Sequence, residues 1–129
     1  NKQLSNLFFC DPLPHQELAQ IYPHINLGVI LYRGTSPNYE FCAPNKLYEL
    51  WSNGVPVIGH QLKGLQPLFD KKEKGILTNF DDISEITFAI EKCTEKEETK
   101  NALTQIFQEE LSIDIHLEKF ATKLKLLKN

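Results

Sequence analysis

Apolar residues follow two rhythms along this chain. Short continuous runs, Leu7–Cys10, Leu27–Tyr32, Val55–Gly59 and Ile76–Thr78, alternate with stretches whose apolar residues recur every three or four positions. The runs read as strands, and apolarity without polar alternation is what a parallel sheet covered on both faces requires. The spaced stretches read as helices. His15–Tyr22 puts Leu18, Ile21 and Tyr22 on one face, and Leu65–Lys74 is stopped by Gly75. Ile83–Cys93 follows Asp82 and Glu85, a capping box, and Asn101–Leu111 and Asp114–Lys128 close the chain as two amphipathic helices. Between them Thr94–Thr99 (TEKEET) reads as a solvated connector. The alternation predicts an α/β fold: about four short parallel strands, right-handed crossovers, helices on the sheet faces and two C-terminal helices. Ligands of such sheets bind at the carboxyl ends of the strands, here in the loops after Tyr32 and Gly59.

The stretch CAPNKLYELWSNGVPVIG, Cys42 to Gly59, enters that region as a helix of about ten residues. Pro44 suits its first turn, while Gly54 and Pro56 stop it. Leu47, Leu50 and Trp51 share one side and are expected to pack on the sheet; Lys46, Glu49 and Asn53 share the other. The two charges oppose the helix macrodipole, at a cost of ~0.3–1 kcal/mol each when exposed. A ligand with phosphate near the helix start and hydroxyls further along accounts for them. Free N–H groups and Lys46 would meet the phosphate, and Glu49 would accept hydrogen bonds from a sugar diol. A solvated Lys–Glu pair fits the same spacing, because such residues are common on surfaces. Arg33 and Gly34, just after the second run, can face a phosphate or solvent equally well. His60 lies near the same end of the sheet, and no histidine is placed by sequence to activate Cys42 as a nucleophile.

Composition narrows the classes. With 129 residues, 41% hydrophobic and 24% charged, the chain reads as one globular domain spanning 1–129. A net charge of -3 gives no general attraction for nucleic acid or anionic lipid, and leaves room for a local basic patch. Three widely spaced cysteines fit neither a disulfide framework nor a zinc site, so a reducing cytoplasmic setting with no metal or cofactor is expected. No run is long enough to span a membrane and NKQLSN lacks the regions of a signal peptide; the absence of Met suggests a chain excised from something longer.

The segment P-N-K-L-Y-E followed by G-V-P-V-I-G resembles the donor-binding segment of GT-B glycosyltransferases of the family 4 (group 1) type, where P-x-K-x-x-E-(x)4-G-x-P-V is common. Glu17-Leu-Ala-Gln-Ile-Tyr before Asn26-Leu-Gly-Val, and Gly75-Ile-Leu-Thr with Asp81-Asp-Ile-Ser, resemble that family's flanking elements, so the likeness runs in order from Leu7 to Cys93. It implies a partial Rossmann-like sheet, the C-terminal half of a GT-B protein, that binds a nucleoside-diphosphate sugar for transfer to an acceptor in cell-surface polysaccharide synthesis. By the family pattern Glu49 holds the ribose hydroxyls, with Pro44, Asn45 and Lys46 at the helix start near the diphosphate. Relatives carry a second glutamate at the position of Phe41; Glu40, one place off, is the substitute here. Charge developing on the leaving diphosphate would be stabilised by Lys46, helix N–H groups and Arg33.

The resemblance also implies an N-terminal acceptor domain of the same chain, so these residues alone are expected to be inactive. Two further strand–helix units of the family have no counterpart, which would leave the edge beside Leu27–Tyr32 exposed; a rearranged four-strand order or a homodimer through that edge is expected to cover it. The full-length protein would place the domain in the cytoplasm, at the inner face of the membrane. Two other readings compete: a sugar-nucleotide 2-epimerase of GT-B architecture, and a non-enzymatic flavodoxin-like interaction module. A receiver-type module should carry an acidic pair after its first strand and an Asp after its third; Asp11 stands alone and no Asp follows Val57-Ile58.

Overall fold

Three of the four apolar runs become strands. Gly28–Ile30 (β1), Val57–His60 (β2) and Gly75–Thr78 (β3) form a parallel sheet in the order β1-β2-β3. The computed structural model describes residues 5–94 and 98–127, so Glu95–Glu97 of the TEKEET connector and Lys128 lie outside the described residues, while Thr94 closes one helix and Glu98 and Thr99 open the next. The α/β class and parallel sheet agree with the sequence, but the order is sequential rather than rearranged. Leu7–Cys10 is irregular, with Phe8 85% and Phe9 90% exposed. A strand is held by ladder hydrogen bonds, and apolarity alone supplies no partner for them.

The helices are His15–Ile21 (α1), Pro37–Glu40 (α2), Asn45–Ser52 (α3), Ile83–Thr94 (α4), Glu98–Ile106 (α5) and Ile113–Leu127 (α6). The single turn of α2, unforeseen in the polar loop after β1, starts at Ser36, whose Oγ accepts from the Tyr39 N–H at 3.4 Å. Leu65–Lys74 is not one helix but two 3-10 turns, Gln66–Leu68 and Lys72–Lys74. Pro67 lacks the N–H that a continuing ladder needs. The capping box is half formed. Asp82 Oδ1 accepts from the N–H groups of Ser84 (2.8 Å) and Glu85 (3.2 Å), while the Glu85 carboxylate turns to the Asn79 N–H (3.0 Å) and the Thr78 hydroxyl (3.3 Å). Glu85 thereby ties the end of β3 to the helix that follows.

One face of the sheet carries the main core, where Leu47, Leu50 and Trp51 of α3 meet Ile30, Val57, Leu65 and Leu103 of α5. The opposite face is covered by α4, whose Ala89 and Cys93 pack on Ile58. Burial there pushes the Cys93 thiol pKa up, so it is an inert core group. This second layer stops short of β1: Val29 and Leu31 point to the side opposite Ile30 and are 50% and 57% exposed. The continuous run Leu27–Tyr32 thus has one covered face among the described residues, not the two its pattern predicts. Beyond α5 the chain makes a π turn, Phe107–Leu111, held to the Lys72–Lys74 region by an ion pair between Glu110 and Lys71, and α6 leaves from it with Leu117 and Phe120 exposed.

Trp51 sits at the centre of this packing. Its Nε1–H donates to the Lys74 carbonyl at 2.8 Å, and the Lys74 ammonium lies 5.5 Å from its ring centroid. Lys74 is 4% exposed in its side chain and pairs with Asp70 at 2.6 Å. The hydrogen bond from Lys74 holds the Asp70 carboxyl below its ordinary value of 3.8. A depressed carboxylate contributes stability that is whole above its unfolded pKa and is lost as pH falls through the folded one. Asp70→Asn is therefore expected to lose about 2 kcal/mol near neutrality, less than for a fully buried pair because Asp70 is half exposed. Denaturant midpoints measured against pH should show the gap between wild type and variant closing below about pH 4.

Candidate functional site

The three strands end at one place. Leu31, Arg33, Gly34 and Thr35 after β1, His60 at the end of β2, and Phe80 and Asp81 after β3 line a cleft of about 360 Å³. This is the carboxyl edge that the topology marks for ligands. Arg33 brings a permanent cation to it and Thr35 a hydroxyl. His60 packs edge-on against Phe80, centroids 5.9 Å apart, and its Nδ1 is shut off from solvent without a hydrogen-bond partner among the described residues. Glu40, from α2, abuts the rim: a Cβ added to Gly34 would lie 2.2 Å from its Oε2, and its carboxylate pairs with Lys63 at 3.7 Å. The structure thus brings Arg33, Gly34 and Glu40 together. Thr35 and Phe80 belong to no motif and Asp81 entered only as part of a flanking element, although the strand-end rule that singled out the loops after β1 and β2 covers the loop after β3 equally well.

Helix α3 is reached by topology. It links the carboxyl end of β1 to the amino end of the parallel β2, so it runs antiparallel to both and its N-terminus points to the cleft end of the sheet. Pro44 is the residue before the helix, buried and extended (φ -72°, ψ 142°), rather than part of the first turn. Asn45 and Lys46 form that first turn; both are exposed and have no side-chain hydrogen bond or ion pair among the described residues. None of Asn45, Lys46 and Glu49 lines the cleft itself. The helix is short because Gly54 takes φ +69°, and a Cβ there would sit 2.5 Å from the Lys100 carbonyl oxygen.

Glu49 lies one turn further along and has a partner that sequence spacing could not supply. The Tyr22 hydroxyl donates to its Oε2 at 2.7 Å across 27 residues of chain. Accepting that hydrogen bond, Glu49 raises the Tyr22 pKa above its ordinary 10.0 and keeps the phenol neutral. That hydrogen bond offsets part of the cost of holding a carboxylate in the later half of the helix. The carbonyls there are also relieved, since the Glu49 carbonyl accepts from Ser52 Oγ (2.8 Å) and Asn53 Nδ2 (2.9 Å).

The family model described as glycosyl transferase-like matches residues 2–124, nearly the whole chain. The chain belongs to the glycosyl transferase-like family. No curated protein and no solved structure matches it. Membership puts the protein among glycosyl-transferring proteins, which move a sugar from an activated donor to an acceptor. In this glycosyl transferase-like chain, the Rossmann-like parallel sheet, the strand-end cleft and the N-terminus of α3 share one end of the domain. Among the described residues no helix is long and apolar enough to cross a membrane, and no group of histidine, cysteine or acidic side chains is arranged to hold a metal ion. Cys10, Cys42 and Cys93 are all free thiols.

Proposed function

We propose that this domain is the donor-binding part of a GT-B glycosyltransferase of the family 4 type, and that it holds a nucleoside-diphosphate sugar at the carboxyl end of its sheet. The observation that carries the reading is the convergence of Arg33, Gly34, Thr35 and His60 on one cleft, beside the end of the sheet from which α3 begins. Arg33, the Lys46 ammonium and the first N–H groups of α3 are the cations and donors that a diphosphate requires. Glu49 is an acceptor-only group about 6 Å along the helix axis from Asn45, suited to a ribose diol. Glu40, at the rim, is the candidate for the sugar.

In this reading the chemistry is electrostatic. Negative charge develops on the leaving diphosphate as the glycosidic bond breaks, and the cations of Arg33 and Lys46 oppose it. The acceptor and its base would come from an N-terminal domain of the same chain, with polysaccharide synthesis at the cytoplasmic face of a membrane as the setting. The outer edge of β1, which pairs with no strand among the described residues, and the exposed Val29 and Leu31 are consistent with coverage by that domain or by a second copy. Titrating UDP and GDP onto the full natural chain and its Glu49→Ala variant tests the site. Loss of a charged acceptor is expected to weaken binding about 10- to 100-fold. Equal affinity in both proteins would remove Glu49 from the site.

A further inference from the structure

The contact between Tyr22 and Glu49 does more than a fold of this size needs from it. Tyr22 is 7% exposed and belongs to the main core cluster, yet its hydroxyl is directed to a half-buried carboxylate on another element. A buried tyrosine needs one acceptor, and a backbone carbonyl would serve. Here the acceptor is a flexible glutamate, so the group that gains definition is Glu49.

The tyrosine is itself held firmly. It opens the 3-10 turn Tyr22–His24, where Pro23 fixes one φ, and the Lys100 ammonium of α5 donates to the Pro23 carbonyl at 2.7 Å. The hydroxyl occupies Oε2, and no side chain or backbone donor among the described residues occupies Oε1. A carboxylate accepts through two oxygens and about four lone-pair directions. One oxygen tied to a fixed phenol leaves the other, and the remaining lone pair of Oε2, at a set angle toward solvent. Two adjacent hydroxyls on a five-membered ring demand such a set angle, since both must donate to one carboxylate at once.

We propose that Tyr22 is the positioning residue for Glu49, locking its carboxylate in the rotamer that accepts both vicinal hydroxyls of a nucleotide ribose. The proposal rests on the reading of Glu49 as a donor contact. It adds a specificity device: selection of ribose against a sugar without those hydroxyls depends on a residue that never touches the ligand. Preorganisation of this kind lowers the ordering cost of binding and affects only ligands that use the ordered group.

The test measures dissociation constants for UDP and 2′,3′-dideoxy-UDP, with the GDP pair in parallel, on the full natural chain, Tyr22→Phe and Glu49→Gln. Each result is read as the ribo-to-dideoxy ratio within one sample, so a partly folded preparation leaves the ratio intact. Wild type is expected to prefer the ribonucleotide by about tenfold or more. Tyr22→Phe, which removes one oxygen and keeps the ring, is expected to bring that ratio down to about two- or threefold while leaving the dideoxy constant unchanged. A ratio kept at the wild-type value in Tyr22→Phe, whether or not both affinities fall together, would overturn the positioning role and leave Tyr22 a packing residue. If Glu49→Gln loses the ratio and Tyr22→Phe keeps it, the reading of Glu49 stands and only the role of Tyr22 fails. If Glu49→Gln keeps the ratio, or neither nucleotide binds wild type, the donor-site reading fails and the proposal fails with it.

Discussion

Gly75→Ala is expected to cost at least ~4 kcal/mol, a large part of the roughly 5–15 kcal/mol that holds an ordinary domain folded. Gly75 opens β3 with φ +121°, and a Cβ there would stand 1.9 Å from the Val57 carbonyl oxygen and 2.6 Å from the Val57 nitrogen. Both are backbone atoms of β2 in register with it, so no rotamer change relieves the clash. Either the strands part or β3 shifts, and a shift would carry Thr78, Asn79 and the cleft residues Phe80 and Asp81 with it. Denaturant unfolding with circular dichroism gives the check. Val29→Ala, at an exposed position on β1, is the matched control and should change stability by less than ~1 kcal/mol.

Trp51→Ala is expected to lose about 3–5 kcal/mol, the usual range for removing a fully buried large aromatic. The indole is 0% exposed, edge-on to Tyr48 and Phe69 at 6.0 and 5.3 Å, and donates to the Lys74 carbonyl. Its loss would leave a cavity, an unpartnered carbonyl and a buried ammonium without its aromatic face. Trp51→Phe separates these effects, since it keeps much of the volume and deletes the donor; about 1–3 kcal/mol is expected. Equilibrium unfolding of both variants distinguishes the hydrogen bond from the volume.

The sequence made the α/β class legible, because continuous runs at Leu27–Tyr32, Val55–Gly59 and Ile76–Thr78 can be little else when helical spacings lie between them. It also made the buried face of α3 legible: Leu47, Leu50 and Trp51 are the residues its spacing selects. Leu7–Cys10 misled because apolarity reports a tendency to be buried, whereas strand formation needs a ladder partner. Leu65–Lys74 misled because apolar spacing cannot register the donor missing at Pro67. In the site, Arg33 and Gly34 were legible from their place after a strand. His60 was legible in the same way at the end of its run, whereas Phe80 and Asp81 needed that rule carried on to the loop after β3. The bond between Tyr22 and Glu49 spans two elements and has no local signal at all, so the reversed charge of α3 could not be balanced from the helix alone.

On the proposed function, a nucleoside diphosphate binds where the strand-end cleft meets the start of α3. Backbone amide shifts of the 15N-labelled full natural chain, followed as UDP or GDP is added, test it directly. Saturable shifts are expected at Arg33–Thr35, His60 and Asn45–Lys46, and none along α6. Shifts absent from both the cleft and the α3 start, or confined to α6, would contradict it.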